Sequence, residues 1–507
     1  MKIKVFLIFI LSIGLNLNLS SQRLNWKKKL QKKLVHLADS LSSNLQAFKV
    51  ADSVFLVDEY GAISDGQTLN TLQIQKAIDA CHESGGGTVL FSKGDYLTGT
   101  MVLKSNVVIK VDKGSRIVGS KYLKDYPEHI EGFRSIMSEY YEFRQSLIYA
   151  ENAENIGICG EGEIYFSGEK KNFPSPQTVG KIDGRPLGMR IMRCKNIVLK
   201  DIFLHNSAAW MQNYVDCKNL LFDGMKVVNH ANFNNDGIDI DGCVNVIVRN
   251  CFINSEDDAM CIKGAGGKPT ENVLIENSTF YSVCNAFKIG TDTQGDFRNI
   301  ICRNITLGGV PDSLVSLRGH EASTGITIET VDGGNVESIL MSDITINQAR
   351  CPIYIFIGNR LRIIPEWKAT KPGYLQYVII KNVKGVGNKR QGSLISGSRL
   401  QSVENVVIRN MDLQMENATD TTLFYKPVNP REDIYPDAQN YSKNGLPGYG
   451  FFVRNATDVI LDNVSIKTNN PDPRPCFVSG EGVKNIKVNK KTFLAQTIKA
   501  FSTTNKK

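Results

Sequence analysis

Two short acidic clusters hold the residue types in this chain that could do chemistry. The first is Asp236-Gly237-Ile238-Asp239-Ile240-Asp241 and the second is Glu256-Asp257-Asp258, with an apolar alternating segment, Val244 to Ile253, between them. Carboxylates gathered in one place repel one another, so one of them should keep its proton near neutral pH while its neighbours stay charged. A protonated acid beside an ionised base is what cleavage of a glycosidic bond requires: the acid protonates the departing oxygen and the base activates water. Three plainer readings compete. Asp-Gly steps mark turns, several carboxylate oxygens can hold calcium, and acidic residues decorate solvent-facing surfaces.

The choice depends on whether the chain brings the two clusters together. A short pattern recurs through most of the sequence: Asn or an equivalent turn residue, then alternating apolar positions. It occurs at Asn155, Asn196, Asn219, Asn245, Asn272, Asn299, Ser338, Tyr377, Asn405, Asp458 and Asn485. The starts at 196, 219, 245, 272 and 299 are 23, 26, 27 and 27 residues apart. Short period-2 segments at that interval predict an all-β fold, a right-handed parallel β-helix, whose coils stack at the ~4.8 Å strand spacing. A β-sandwich would instead show hairpin turns every 8–12 residues or so. Asp236 and Asp257 are 21 residues apart, close to one coil, which places them on adjacent rungs of one face with Asp258 beside them. The wider intervals 299 to 338, 338 to 377 and 405 to 458 predict loops inserted between coils, of the kind that wall a groove.

Composition fits a globular chain with a large core: 507 residues, 42% hydrophobic and 22% charged, with 43 glycines. The net charge of +9 suits an acidic partner such as an anionic polysaccharide, although part of it is the local run Lys27, Lys28, Lys29, Lys32 and Lys33. Eleven cysteines without paired CxxC spacing argue against zinc, and one or two disulfides are possible in an exported protein. Cys194, Cys217, Cys243, Cys251 and Cys302 sit in or beside β-patterned segments, where a thiol acts as a small buried apolar group.

Four segments follow. Residues 1–20 combine Lys2 and Lys4 with a short apolar run and read as a signal peptide, so the mature protein is expected in the periplasm or outside the cell. Residues 22–50 carry Trp26, Leu30, Leu34, Leu37 and Leu41 at helical spacing, a basic amphipathic helix that packs as a cap or lies on a membrane surface. Residues 51–490 form the β-helix, and 491–507 a C-terminal tail. Neither stable membrane insertion nor a nucleic-acid partner is expected, and the chain is expected to act as a monomer.

Asn234-Asn235-Asp236-Gly237-Ile238-Asp239 and Glu256-Asp257-Asp258-Ala259-Met260-Cys261-Ile262-Lys263 resemble the Asn-Thr-Asp and Gly-Asp-Asp motifs of glycoside hydrolase family 28, the polygalacturonase family. The likeness extends to Tyr60-Gly61-Ala62, Gly85-Gly86-Gly87-Thr88-Val89-Leu90-Phe91, Gly94-Asp95-Tyr96, Gly184-Arg185-Pro186 and Cys351-Pro352-Ile353. The resemblance implies an inverting hydrolase of a pectic or other acidic polysaccharide, with Asp257 as general acid and Asp236 with Asp258 holding and deprotonating the attacking water. It implies no covalent intermediate, no metal and no cofactor. Two departures bear on the substrate. Asn285 falls where the family carries a histidine, and Gly325-Ile326-Thr327-Ile328-Glu329 replaces the family's Arg-Ile-Lys, which disfavours an anionic sugar at that subsite and points to exo action or a rhamnogalacturonan-type backbone.

Asn235, Lys263, Asn285 and Lys288 are the expected substrate contacts, with the two lysines flanking the groove if they point outward or capping turns if they do not. Arg318, Arg360 and Arg362 lie at the edges of inserted loops, the usual place for surface arginines and also for those that grip acidic sugars. Trp367 could stack on a sugar ring, whereas Trp210 suits a core. Tyr435-Pro436-Asp437 and Gly445 to Gly450 mark a further groove wall. A β-helical polysaccharide lyase and a non-catalytic carbohydrate-binding protein are the competing functions.

Overall fold

The computed structural model describes residues 26–129, 144–174, 184–363, 367–387, 391–418, 428, 430–441 and 445–493. The expected leader at 1–20 and the tail beyond residue 493 lie outside them.

The chain winds into a right-handed parallel β-helix, each coil adding one strand to each of three sheets. In the coil that carries the first acidic cluster, Lys218–Asp223 lies in the first sheet, Lys226–Asn229 in the second and Ile238–Asp241 in the third. The next coil lays Val244–Arg249, Phe252–Ser255 and Met260–Gly264 directly over them in parallel register. Period-2 alternation sorts each strand into an inner and an outer face. In the third sheet Ile240, Ile262, Ile289, Ile328 and Ile355 stack inward as one apolar column. Asp239, Cys261, Lys288, Thr327 and Tyr354 stack outward in the same register and form the floor of the site.

The recurring asparagines hold the turn before the first sheet. Asn106, Asn155, Asn196, Asn219, Asn245, Asn272 and Asn299 all adopt left-handed backbone conformations, which Asn tolerates better than other non-glycine residues. Each side-chain amide of this series from Asn155 onward donates to the amide oxygen of the preceding rung at 2.8–3.1 Å. Cys194, Cys217 and Cys243 form another inner ladder, and all eleven cysteines are free thiols. The disulfides that export would permit are therefore not formed: Cys194, Cys217 and Cys243 follow the rung spacing and fill the core as small apolar groups.

Helix Thr71–Glu83 closes the N-terminal end of the coil with Ile74, Ala77, Ile78 and Cys81. A longer helix over residues 26–44 lies along the outside of the first sheet. Its Leu30, Leu34, Ala38 and Leu41 cover an outward stripe of Leu221, Ile247, Leu274, Ile301, Leu340, Ile379 and Val407. Those seven rungs extend about 29 Å at the strand spacing, and the helix is about 28 Å long at its rise per residue. Trp26 meets Tyr377 edge-on, and Lys33 donates to Asn299 Oδ1 at 2.9 Å, so the helix runs back toward the N-terminal coils. The lysines between the apolar positions face outward. Leu34 is fully buried in this seam. Leu34→Ala should cost about 2–3 kcal/mol in denaturant unfolding through lost burial and a cavity; a cost near zero would show that the helix does not hold the sheet.

Candidate active site

The turn between the second and third sheets carries the acidic residues, and successive rungs stack them. Gly237 N–H donates to Asp258 O at 2.9 Å, Asp257 N–H to Asn235 O at 3.4 Å, and Ala259 N–H to Asn285 O at 2.9 Å. Asp236, the pair Asp257 and Asp258, and Asn285 thus occupy three consecutive rungs of one wall. A Cβ on Gly237 would lie 2.5 Å from the Ala259 carbonyl oxygen, so the glycine after Asp236 is what lets these rungs close on each other.

The trio is less open than a solvent-facing cluster. Asp236 and Asp258 are each 3% exposed, and Asp257 alone is half-buried. The loop bearing Tyr435 leans over the site, its hydroxyl 3.3 Å from Lys288 Nζ. Polar atoms of Asp257, Asp258 and Cys284 lie within 4.8 Å of one another.

What packs on each carboxyl group differs. Burial opposes the charge of Asp258, yet Lys288 Nζ at 3.0 Å, the nearby Lys263 and the Asn285 amide at 2.5 Å outweigh it and hold this carboxyl below the usual range. Asp257 is pushed upward, first by burial and then by the charge of Asp258. Asp236 is driven well above the usual range by burial and by Asp239, Asp257 and Asp258. One carboxyl held below the usual range therefore stands beside two pushed above it, a finer split than residue types could foretell. Burial also lifts Asp239 to about 8.

The chain matches the model of Glycosyl hydrolases family 28 over residues 81–429. It belongs to that family. A probable polygalacturonase of Vitis vinifera is 27% identical over 337 residues, which is 61% of this chain and 63% of the grape protein, so the match spans less than two thirds of that relative. An exopolygalacturonase structure from Thermotoga maritima superposes with a TM-score of 0.63 at 19% identity, covering 90% of this chain and 96% of that one. A family 28 exopolygalacturonase from Yersinia enterocolitica superposes with a TM-score of 0.64 at 20% identity, covering 87% and 79%. At these identities the structures show the shared fold.

Within this family 28 site, the four expected substrate contacts are committed to the protein itself. Asn235 is fully buried: its Oδ1 accepts from the N–H groups of Ala231 and Asn232, and its Nδ2 donates to the carbonyls of Ser207 and Ala209. It shapes the turn that presents Asp236. Asn285 donates to Asp258 Oδ1 and to Cys284 Sγ, while its own Oδ1 accepts from the Thr324 and Thr327 hydroxyls. It serves Asp258. Lys288 pairs with Asp258, and Lys263 lies 3.5 Å from Asp239, 3.6 Å from Asp292 and 4.5 Å above the Trp210 ring. Neither lysine flanks the groove, because a buried ammonium among carboxylates is captured by them.

Arg360 and Arg362 are likewise bound, to Asp332 and Asp292. Glu329, where the family motif has a cation, is fully buried, and burial raises it to about 8. Trp367 is half-buried beside Gly267.

Sequence reasoning missed Thr324, Asp292, Asp332 and His230; it named Glu256 only as part of an acidic cluster and Thr327 only as the loss of a cation. Thr327 alternates with inward Ile326 and Ile328, so its outward direction was readable, but nothing in the sequence marked the amide it would meet. Buried Glu256 accepts from Leu317 N–H and Arg318 Nε and lies 2.7 Å from His230 Nδ1. Asn254 Nδ2 also donates to Val315 O at 3.0 Å, so this group fastens the inserted loop to the rung of Asp257.

Proposed function

We propose that this family 28 chain hydrolyses an acidic, pectin-like polysaccharide with inversion at the anomeric carbon. The observation that carries the reading is that neighbouring residues of one turn, Asp257 and Asp258, are shifted in opposite directions by what packs on each, with Lys288 Nζ 3.0 Å from Asp258 alone. Asp257, half-exposed and protonated, donates to the glycosidic oxygen. Asp258, ionised between Lys288 and Asn285, accepts the proton of the attacking water. Asp236 keeps its proton and orients that water by donating to it, a narrower role than the paired base expected from the motif. Water adds to the anomeric carbon, the leaving hydroxyl takes the Asp257 proton, and no bond to the protein forms.

The names of the superposed enzymes and the Tyr435 loop over the site favour exo action, and the loss of the motif's cation pair at Thr327 and Glu329 favours a mixed backbone such as rhamnogalacturonan. The reading includes export through residues 1–20 as a cleaved leader, to the periplasm or beyond, as a monomer organised as helix, β-helix and short tail. Among the described residues no helix is long and apolar enough to cross a membrane.

Purified protein incubated with defined pectic oligosaccharides, its products followed by proton NMR, should release sugar with inverted configuration. Retained configuration would overturn the mechanism, and unsaturated products absorbing in the ultraviolet would assign a lyase instead. Lys288→Met should move the acid limb of kcat/KM upward by about one pH unit, because Asp258 loses its nearest cation. An unmoved acid limb would remove Asp258 from the role of base.

A further inference from the structure

We infer that Arg318 is the specificity-determining residue that binds the carboxylate of an acidic sugar beside the scissile bond. The inference rests on the hydrolytic reading above and names the group that gives the same site its preference for charge.

The cations bordering the catalytic turn differ in what remains available on them. Among the described residues Lys263, Lys288, Arg360 and Arg362 are buried or nearly so, and each is tied to one or two carboxylates. Arg318 is not exhausted in this way. Its side chain is 45% exposed, its Nε and one terminal nitrogen are held by the Glu256 carboxylate and carbonyl, and its Nη1 has no partner among the described residues. The free edge of the guanidinium is therefore presented while the other edge is clamped.

The clamp fixes where that edge lies. Glu256 directly precedes Asp257, and burial notwithstanding, His230 and Arg318 keep its carboxyl below the usual range. Arg318 is held charged by Asp257, by Glu256 and by Cys284 against the cost of burial, which puts it beside the proposed acid without a direct ion pair to it. A planar donor fork held on one side and open on the other suits a carboxylate, and it is pre-organised because Glu256, Leu317 N–H and the Asn254 contact to Val315 already order the loop. The site thus has a cation for a uronate although Glu329 stands where the family motif carries one.

The test separates charge recognition from turnover. In an Asp257→Asn background, which removes any effect of Arg318 on the titration of Asp257, calorimetry compares a trisaccharide of galacturonate with its carboxyl-reduced, neutral counterpart. Adding Arg318→Gln should weaken binding of the acidic trisaccharide by about tenfold or more and change the neutral one by less than about twofold. Arg318→Lys, which keeps the charge and loses the fork, should fall between. Equal losses on both ligands, or no loss on either, would overturn the assignment. Turnover by the unsubstituted protein is scored separately: acid-selective, Arg318-dependent binding without any cleavage would sustain Arg318 and sink the hydrolase, whereas cleavage with charge-blind Arg318→Gln binding would do the reverse.

Discussion

Asp257→Asn should leave a folded, glycan-binding protein whose kcat falls by about a thousandfold or more. General acid catalysis contributes roughly 10²–10⁴ when the leaving group is poor, and an amide in the same place can donate a hydrogen bond but cannot transfer a proton. The substitution is nearly isosteric, and it removes a carboxyl whose ionisation burial and the charge of Asp258 already oppose, so folding should not suffer. KM should change little, which separates this variant from one that disturbs the groove. A substrate with an activated phenolic leaving group needs less protonation and should recover much of the lost rate. A variant with most of the original kcat on natural glycan would dismiss Asp257 as the acid and, with it, the assignment of Asp258 as its partner.

Between about pH 5 and pH 8 the folded chain should lose stability as pH rises. Asp239 and Glu329, whose ordinary values are 3.8 and 4.5, are each lifted to about 8 by burial. Across that window the folded chain retains protons that the unfolded chain has released. Raising pH therefore draws the equilibrium toward the unfolded state, by about 1.4 kcal/mol per pH unit for each proton retained. Asp258 has the opposite sign: its lowered value stabilises the fold above the ordinary carboxyl range, and that contribution is lost only in stronger acid. Thermal midpoints should thus peak in mildly acidic buffer. Asp239→Asn and Glu329→Gln should each flatten the decline toward pH 8, since an amide has no proton to release. A midpoint that is level or rising from pH 5 to pH 8, or a slope untouched by both substitutions, would mean that these carboxyls are ionised in the fold.

The two effects have a common origin in how the coil assembles its outer wall. The eight carboxyls Asp236, Asp239, Asp241, Asp257, Asp258, Asp292, Glu329 and Asp332 are buried or half-buried along a few rungs. The cations among them, Lys263, Lys288, Arg360 and Arg362, are fewer. Some acids must remain neutral. Asp258 is held below the usual range because Lys288 and Asn285 stack on it from the next rung, and Asp257 is pushed above it by burial and by the charge of Asp258.

Much of this molecule was legible in its amino-acid order. Alternation of apolar and polar residues, the Asn at each turn and the interval of 23 to 27 residues are local properties, and a repeating coil converts them directly into register. Sequence alone therefore determined the β-helix, the inward columns such as Ile240 and Ile262, and the placement of Asp236, Asp257 and Asp258 on neighbouring rungs. It left open whether Lys263 and Lys288 point outward or cap turns. Only the tertiary structure decided what those side chains meet: that the lysines are captured by Asp239, Asp292 and Asp258, that Asn235 is consumed by its own turn, and that Arg318 is clamped to Glu256 from 62 residues away. Protonation and free hydrogen-bonding edges depend on burial and on partners from other rungs and inserted loops, and no spacing within one segment encodes either of them.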